Sequence, residues 1–176
     1  MIIGLTGKKG SGKDSAAAVF EANEFHPLKM AGALKSMLAM LLMYQGVTDE
    51  LVDRMIEGDL KEVPTFLLGG KSPRYAMQTL GTEWGRQLMG DGFWTDIFIN
   101  TASTYENVIC ADIRFPNELD LCDYTYRVVR PSLVSNDNHV SEAMIDHLKV
   151  DGEILNTFDD VESFQKSVYE LLVDKH

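Results

Sequence analysis

The chain has 176 residues, 45% of them apolar, and carries 16 Lys and Arg against 27 Asp and Glu, a net charge of −11. That length suits one domain, or one domain with a lid, and the apolar share is enough for a full core. The acidic balance excludes wrapping around nucleic acid, which needs a basic face, and requires any site for an anionic substrate to gather its cations locally. Cys110 and Cys122 are too few for a disulfide framework and have no His partners at metal spacing, so they read as core thiols in a reducing compartment. The most apolar run, Met37 to Met43, is too short to span a bilayer. Met1 leads straight into a strand with no secretory signal, so the expectation is a soluble, cytoplasmic protein with no membrane partner.

Met1 to Leu5 reads as a short buried strand, and Ser15 to Glu24, rich in alanine, as a helix. Phe25 to Met30 is a candidate second strand. Ala31 to Tyr44 is helical, with Leu34, Leu38, Leu41 and Leu42 at helical spacing. Thr48-Asp49-Glu50 predicts a cap and first turn of a helix ending near Gly58. Ser72-Pro73 opens a further helix, Pro73 in its first turn, running to about Met89 in spite of Gly81 and Gly85. Phe93 to Thr104 is helical again. Asn107 to Asp112 is an apolar run ending in a carboxylate, the pattern of a central parallel strand. Tyr124 to Val129 is the next strand, Pro131 to His139 a polar loop, and Ser141-Glu142 the start of a short helix ending near Lys149. Glu153 to Asn156 is a last strand and Asp159 to Asp174 a final helix. Strands alternating with helices predict an α/β fold with a doubly wound parallel sheet, residues 1–176 forming one domain.

Between the first strand and first helix stands Gly7-Lys8-Lys9-Gly10-Ser11-Gly12-Lys13-Asp14-Ser15, which fits the phosphate-loop pattern G-x-x-x-x-G-K in its proper context. The glycines let the backbone curl so that amides face phosphate oxygens, the following helix adds free amides and a positive dipole end, and Lys13 supplies a mobile charge. The residue after Lys13 is Asp14 rather than Ser or Thr, and the hydroxyl comes one residue later, at Ser15. A carboxylate in a phosphate pocket needs a cation between them. Asp14 is therefore read as a magnesium-side residue, with helix capping as the alternative.

Two more constellations carry chemistry. Arg74, Gln78, Thr82 and Arg86 recur every four residues and would form one polar helical stripe, either solvated surface or a phosphate- or base-binding face, since arginine binds phosphate as a planar fork. Asp112-Ile113-Arg114-Phe115-Pro116-Asn117-Glu118 begins at a central strand end. There Asp112 would be a magnesium-side carboxylate and Arg114 would face the crevice, unless Arg114 and Glu118 merely pair across a capping turn. The chain has no N-K-x-D and no D-x-x-G after the central strand, which argues against a GTPase-like switch.

With these motifs the chain resembles the phage-type deoxynucleoside monophosphate kinases. The likeness rests on Gly7 to Ser15; on Arg74 to Arg86, with Gln78 and Gly81-Thr82-Glu83; on Asp112 to Glu118; and on His139-Val140-Ser141-Glu142, all in that family's order. Kinases of nucleoside monophosphates also delay the loop hydroxyl by one residue. The resemblance implies a P-loop kinase fold of the nucleoside monophosphate type, with a helical monophosphate-binding region over about 31–104 and a lid over about 131–149. It implies ATP as donor, Mg²⁺, and a deoxynucleoside monophosphate as substrate. Gly7, Lys8, Lys9, Gly10, Ser11, Gly12, Lys13, Asp14 and Ser15 would hold the nucleotide phosphates. Asp14, Ser15 and Asp112 would serve the metal, and Lys13, Arg114 and Asp112 the chemistry. Arg74, Gln78, Thr82, Arg86, Arg114 and Glu118 would bind the acceptor. Tyr75 and Trp84 are read as base-stacking or, more commonly for such residues, as core. A homodimer is left open, and the location would be the host cytoplasm if the chain is phage-encoded. The chain departs from the family in its length, and in a lid segment whose cations are only His139, His147 and Lys149, which leaves the transition-state cation unassigned. Phosphomevalonate kinases share the Gly-Lys-Asp loop, and a phosphomevalonate-kinase-like enzyme or a non-catalytic nucleotide-binding module are the alternative readings.

Overall fold

Ile2-Ile3-Gly4-Leu5-Thr6 forms β1 (Ile2–Thr6), with Ile3 and Leu5 fully buried, as a strand covered on both faces requires. The structure, a computed structural model, describes residues 1–133 and 145–175. The described chain divides into two compact units, Met1–Met30 with Ile99–His176, and Ala31–Phe98.

The first unit is built on a parallel five-stranded sheet in the order β2-β3-β1-β4-β5, with β2 His26–Pro27, β3 Val108–Cys110, β4 Tyr124–Val129 and β5 Gly152–Leu155. Ile3 lies opposite both Ile109 and Tyr124, and Val128 opposite Ile154. The chain builds β3 and β2 on one side of β1 and β4 and β5 on the other. The topological switch point therefore lies at the carboxyl end of β1, where ligands bind in sheets of this kind. Helices α1 (Lys13–Glu21) and α7 (Val161–Lys175) pack together on the sheet, closing a core of Ala16, Val19, Phe20, Phe164 and Val168 over Ile3, Leu5, Tyr126 and Val128. Each large apolar side chain buried there contributes about 1.5–3 kcal/mol.

The second unit is helical: α2 (Gly32–Tyr44), α3 (Asp49–Ile56), a 3₁₀ turn (Phe66–Leu68), α4 (Pro73–Thr79) and a continuation over Leu80–Met89; α5 (Phe93–Ala102) begins in this unit. Leu38, Leu42, Val52, Met55, Ile56 and Met77 form its core. Thr48 stands at the N-cap of α3 but its side chain makes no capping bond, whereas Ser72 Oγ caps α4 by accepting from the Tyr75 amide (3.2 Å), with Pro73 behind it.

The strand expected over Phe25 to Met30 is reduced to His26–Pro27, paired to β3 through the His26 and Leu28 amides (2.8 and 3.0 Å to the carbonyls of Asn107 and Ile109), with Pro27 tolerated because β2 is the edge strand. The helix expected to run unbroken from Pro73 to about Met89 is α-helical only to Thr79. From Leu80 to Met89 it is a π-helix, each carbonyl meeting the amide five residues on. At the junction the Thr79 hydroxyl donates to the Tyr75 (3.1 Å) and Ala76 (3.0 Å) carbonyls, a back-bond of the kind that loosens a helix. Gly90, at φ +125°, ends the rod. Among the described residues no helix is long and apolar enough to cross a membrane. The His139-Val140-Ser141-Glu142 motif and the centre of the expected lid lie outside the described residues.

Candidate active site

The glycine loop leaves β1 at Thr6, whose buried hydroxyl donates to the Ile113 carbonyl (2.9 Å). That bond ties the end of β1 to the chain leaving β3, so Asp112 to Arg114 run alongside the loop. Gly7 is required by close approach as well as by its φ of +145°: a Cβ there would lie 2.5 Å from the Val128 carbonyl oxygen of β4. Gly12 (φ +106°) is the N-cap of α1 and has no side chain to spend on the helix's amides. Asp14 is therefore not the capping residue; it stands exposed in the first turn, beside Ser15. Lys13 folds back over the loop, its ammonium donating to the carbonyls of Gly7 (2.5 Å) and Lys8 (2.9 Å). Lys8 itself pairs with Asp146 (2.9 Å), and Lys9 and Gly10 are exposed. The Ser11 hydroxyl is buried with no hydrogen-bond partner among the described residues.

Asn156, just past β5, braces this loop. Its Nδ2 donates to the Ser11 carbonyl (2.9 Å) and occupies the space a Gly12 Cβ would need, 2.6 Å away. Beside it opens a cleft of about 290 Å³, lined by Gly10, Gly12 to Ser15, Arg130, Asn156, Phe158, Asp159, Asp160, Val161 and Phe164. Its walls combine loop backbone, two cations, carboxylates and two phenyl rings, the mixture a nucleotide asks for. Asp160 also caps α7, accepting from the Ser163 amide (2.7 Å), and that bond holds its carboxyl below the usual range. Arg127 on β4 fastens the chain at 145–148 to the sheet: it pairs with Glu153 (3.1 Å) and donates to the carbonyls of Ile145 and Leu148.

On the other side of β1, Asp112 Oδ1 accepts from the Met30 amide (2.9 Å) and the Cys110 thiol (3.2 Å). Burial, then the charge of Asp112, pushes the Cys110 thiol well above its usual range, and burial pushes Cys122 up to about 12. Both cysteines are free and, so protonated, unreactive, as core thiols should be. Arg114 is exposed. Its backbone is held from beneath by Glu118, 6% exposed, whose Oε2 accepts from the amides of Arg114 (2.8 Å) and Phe115 (3.2 Å). The two residues do meet, carboxylate to backbone, at the start of α6 (Pro116–Leu119).

In the helical unit the four-residue stripe does not lie on one lattice, since Arg74 and Gln78 are on α4 and Thr82 and Arg86 on the π-helix. Arg74 Nε donates to Glu62 (2.5 Å). Gln78 and Thr82 are exposed, and Arg86 partly so. Trp84 packs edge-on to Phe93 (5.3 Å between ring centroids) and against Trp94 (5.9 Å), the core use, while Tyr75 is half-exposed with Lys71 over its ring (5.0 Å). His147 and Lys149 are exposed.

Sequence reasoning overlooked Arg130 and Phe158. The available signal was position: each comes just after a strand that flanks the glycine loop's cleft, β4 and β5.

No family model matches the chain. A curated protein of Acanthamoeba polyphaga mimivirus, named "Putative deoxynucleotide monophosphate kinase", is 28% identical over 188 residues, covering 96% of this chain and 94% of that protein. The deoxynucleoside-5′-monophosphate kinase of Escherichia phage T5 is 31% identical over 111 residues, 56% of this chain and 44% of the phage protein. The likeness to phage-type deoxynucleoside monophosphate kinases read from the motifs is thus matched by one relative over nearly the whole chain and by another over part of it. Among solved structures, TT1252 from Thermus thermophilus superposes with a TM-score of 0.52 at 17% identity (100% of this chain, 98% of that one). The dephospho-CoA kinase from Campylobacter jejuni superposes with 0.54 at 11% identity (98% and 96%). The fold is that of the P-loop, nucleoside monophosphate kinase-like α/β proteins.

Proposed function

We propose that this chain is a deoxynucleoside monophosphate kinase, transferring the γ-phosphoryl group of ATP in line to the 5′-phosphate of a deoxynucleoside monophosphate. The observation that carries this reading is the glycine loop at the sheet's switch point, its lysine over the loop mouth and Asp112–Arg114 bound alongside through Thr6. The named relatives support the substrate class.

The donor nucleoside takes the cleft between Arg130 and Asn156 to Phe158, and its phosphates lie along the loop and the first turn of α1. Loop amides and the helix dipole bind the β-phosphate, and Lys13 exchanges its two backbone carbonyls for β- and γ-oxygens. Asp14, Ser15 and Asp112 offer oxygen donors only, which suits Mg²⁺ held by one or two protein oxygens, phosphates and water. When bound, that ion neutralises charge between the β- and γ-phosphates. The acceptor is itself an anionic phosphate oxygen, so no strong base is needed, and catalysis is positioning plus charge neutralisation. Arg114, Gln78, Thr82 and Arg86 are assigned to the acceptor. Arg74 is assigned there as well, its Nε donating to Glu62 and its Nη groups left to reach a phosphate. Glu118, whose Oε2 accepts from the Arg114 and Phe115 amides, is assigned here to holding the backbone under Arg114.

A coupled ADP-release assay across deoxy- and ribonucleoside monophosphates and phosphomevalonate tests the proposal. Deoxynucleotide turnover well above the other acceptors is expected. Preference for phosphomevalonate, or ADP binding without a monophosphate site, would replace the kinase assignment with the corresponding alternative.

A further inference from the structure

The π-helix of the second unit has a specific cause in Trp94. A π-helix is rare and is found mostly as single turns at functional sites, because its wide turn packs poorly along the axis. Here it continues for 10 residues, Leu80–Met89, so something outside the helix must favour it. The Trp94 side chain, 7% exposed, lies against the helix with its Nε1 donating to the Gly81 carbonyl (2.9 Å). That carbonyl has two lone pairs, so it can take the indole N–H besides the helix amide. The ring also fills the place of a side chain at Gly85: a Cβ there would stand 2.1 Å from Nε1 and 2.5 Å from Cε2. By contrast, a Cβ at Gly81 would meet only Leu34 Cδ2, at an ordinary 3.5 Å. Gly85 is thus glycine because of Trp94. Phe93 and Trp84 fix the indole in turn, at centroid distances of 4.9 and 5.9 Å.

The geometry points to Trp94 as a positioning residue: by pinning the Gly81 carbonyl and occupying the Gly85 side-chain space, it holds the wide register and so sets the direction of Thr82 and Arg86. This inference rests on the assignment of those two residues to the acceptor. In α-register the Gly81 carbonyl would meet the Gly85 amide; in the wide register it meets that of Arg86. A register change of one residue corresponds to about 100° of rotation about the axis for the side chains beyond it. Trp94 touches no substrate in this scheme, and its effect passes through the helix backbone.

Two variants approach this joint from opposite sides. W94F keeps most of the ring and loses the N–H donor; G85A keeps the indole and pushes it off the helix. Either one, once shown by thermal melting to be folded, carries the test. Each is expected to raise KM for the deoxynucleoside monophosphate at least about tenfold, equivalent to about 1.4 kcal/mol, with KM for ATP within about twofold of wild type. A folded variant with unchanged acceptor KM overturns the inference alone, as does an equal rise in both KM values, the mark of general loosening. A wild-type protein with no turnover on any monophosphate overturns the proposed function and this inference with it.

Discussion

Glu118→Gln and Glu118→Ala separate a residue that holds the backbone from one that touches substrate. The Glu118 carboxylate is 6% exposed and accepts from two amides, at 2.8 and 3.2 Å. Gln preserves an acceptor oxygen and the shape while turning charge-assisted bonds into neutral ones. A charged hydrogen bond contributes about 1.5–3 kcal/mol and a neutral one about 0.5–1.5 kcal/mol, so Gln should cost about 1–2 kcal/mol. Ala leaves the amides without that partner, at about 1–3 kcal/mol each, and opens space, so about 3 kcal/mol is expected. For a chain of this size 1 kcal/mol moves Tm by about 2–4 °C. Calorimetry should therefore show a fall of about 2–8 °C for Gln and about 6–12 °C for Ala, with acceptor KM rising in step because Arg114 loses its fixed backbone. A Gln variant with wild-type Tm but a large rise in acceptor KM would refute this reasoning and return Glu118 to direct contact with the substrate.

Lys13→Ala should lower kcat by about 10²-fold or more with little change in melting, since the ammonium bonds to the loop carbonyls of Gly7 and Lys8 at the surface of the loop; near-normal turnover would sink the kinase assignment. Asp14→Asn should raise the Mg²⁺ concentration for half-maximal rate without loss of stability, because Gly12 rather than Asp14 occupies the cap. A magnesium titration that superposes on wild type would remove Asp14 from the metal side. Arg114→Lys keeps the charge and loses the fork, and Arg86→Ala loses both. Each should lower kcat/KM for the acceptor by about ten- to a hundredfold, the scale of a charged hydrogen bond, and leave ATP affinity measured by calorimetry nearly unchanged; weaker ATP binding with normal acceptor KM would move them to the donor side.

The parts that could be read from sequence are those that local chemistry decides. The glycine loop is fixed by three glycines and a lysine at set spacing between strand and helix, and it lies where the pattern put it. β4 occupies the expected Tyr124–Val129 because an apolar, β-branched and aromatic run admits few other uses. What was hidden depends on partners distant in sequence. Gly85 looked like a flaw in a helix because Trp94, whose ring fills the space of a side chain there, is beyond the next turn. The pairing of Arg74 with Glu62 and the bond from the Arg114 amide to the Glu118 carboxylate were likewise hidden, because sequence does not tell which way a side chain turns. Arg130 has no motif at all; it matters only through the strand it follows.

The approach of Gly7 to the Val128 carbonyl has a consequence for how this chain tolerates change in length. The loop is located by backbone contact with β4, through the register that sets Thr6 opposite Arg127. Arg130 follows Val128 by two residues, so its place in the cleft is inherited from strand pairing. An insertion or deletion within β4 would slip that register, turn Val128 and Arg127 to opposite faces, and displace Arg130 from the cleft and the carbonyl from Gly7 in a single event. A change of one residue in the length of β4 therefore strikes the core, the glycine loop and the cleft beside it together. Engineered insertions are accordingly expected to be tolerated in the connections between strands and not within β4.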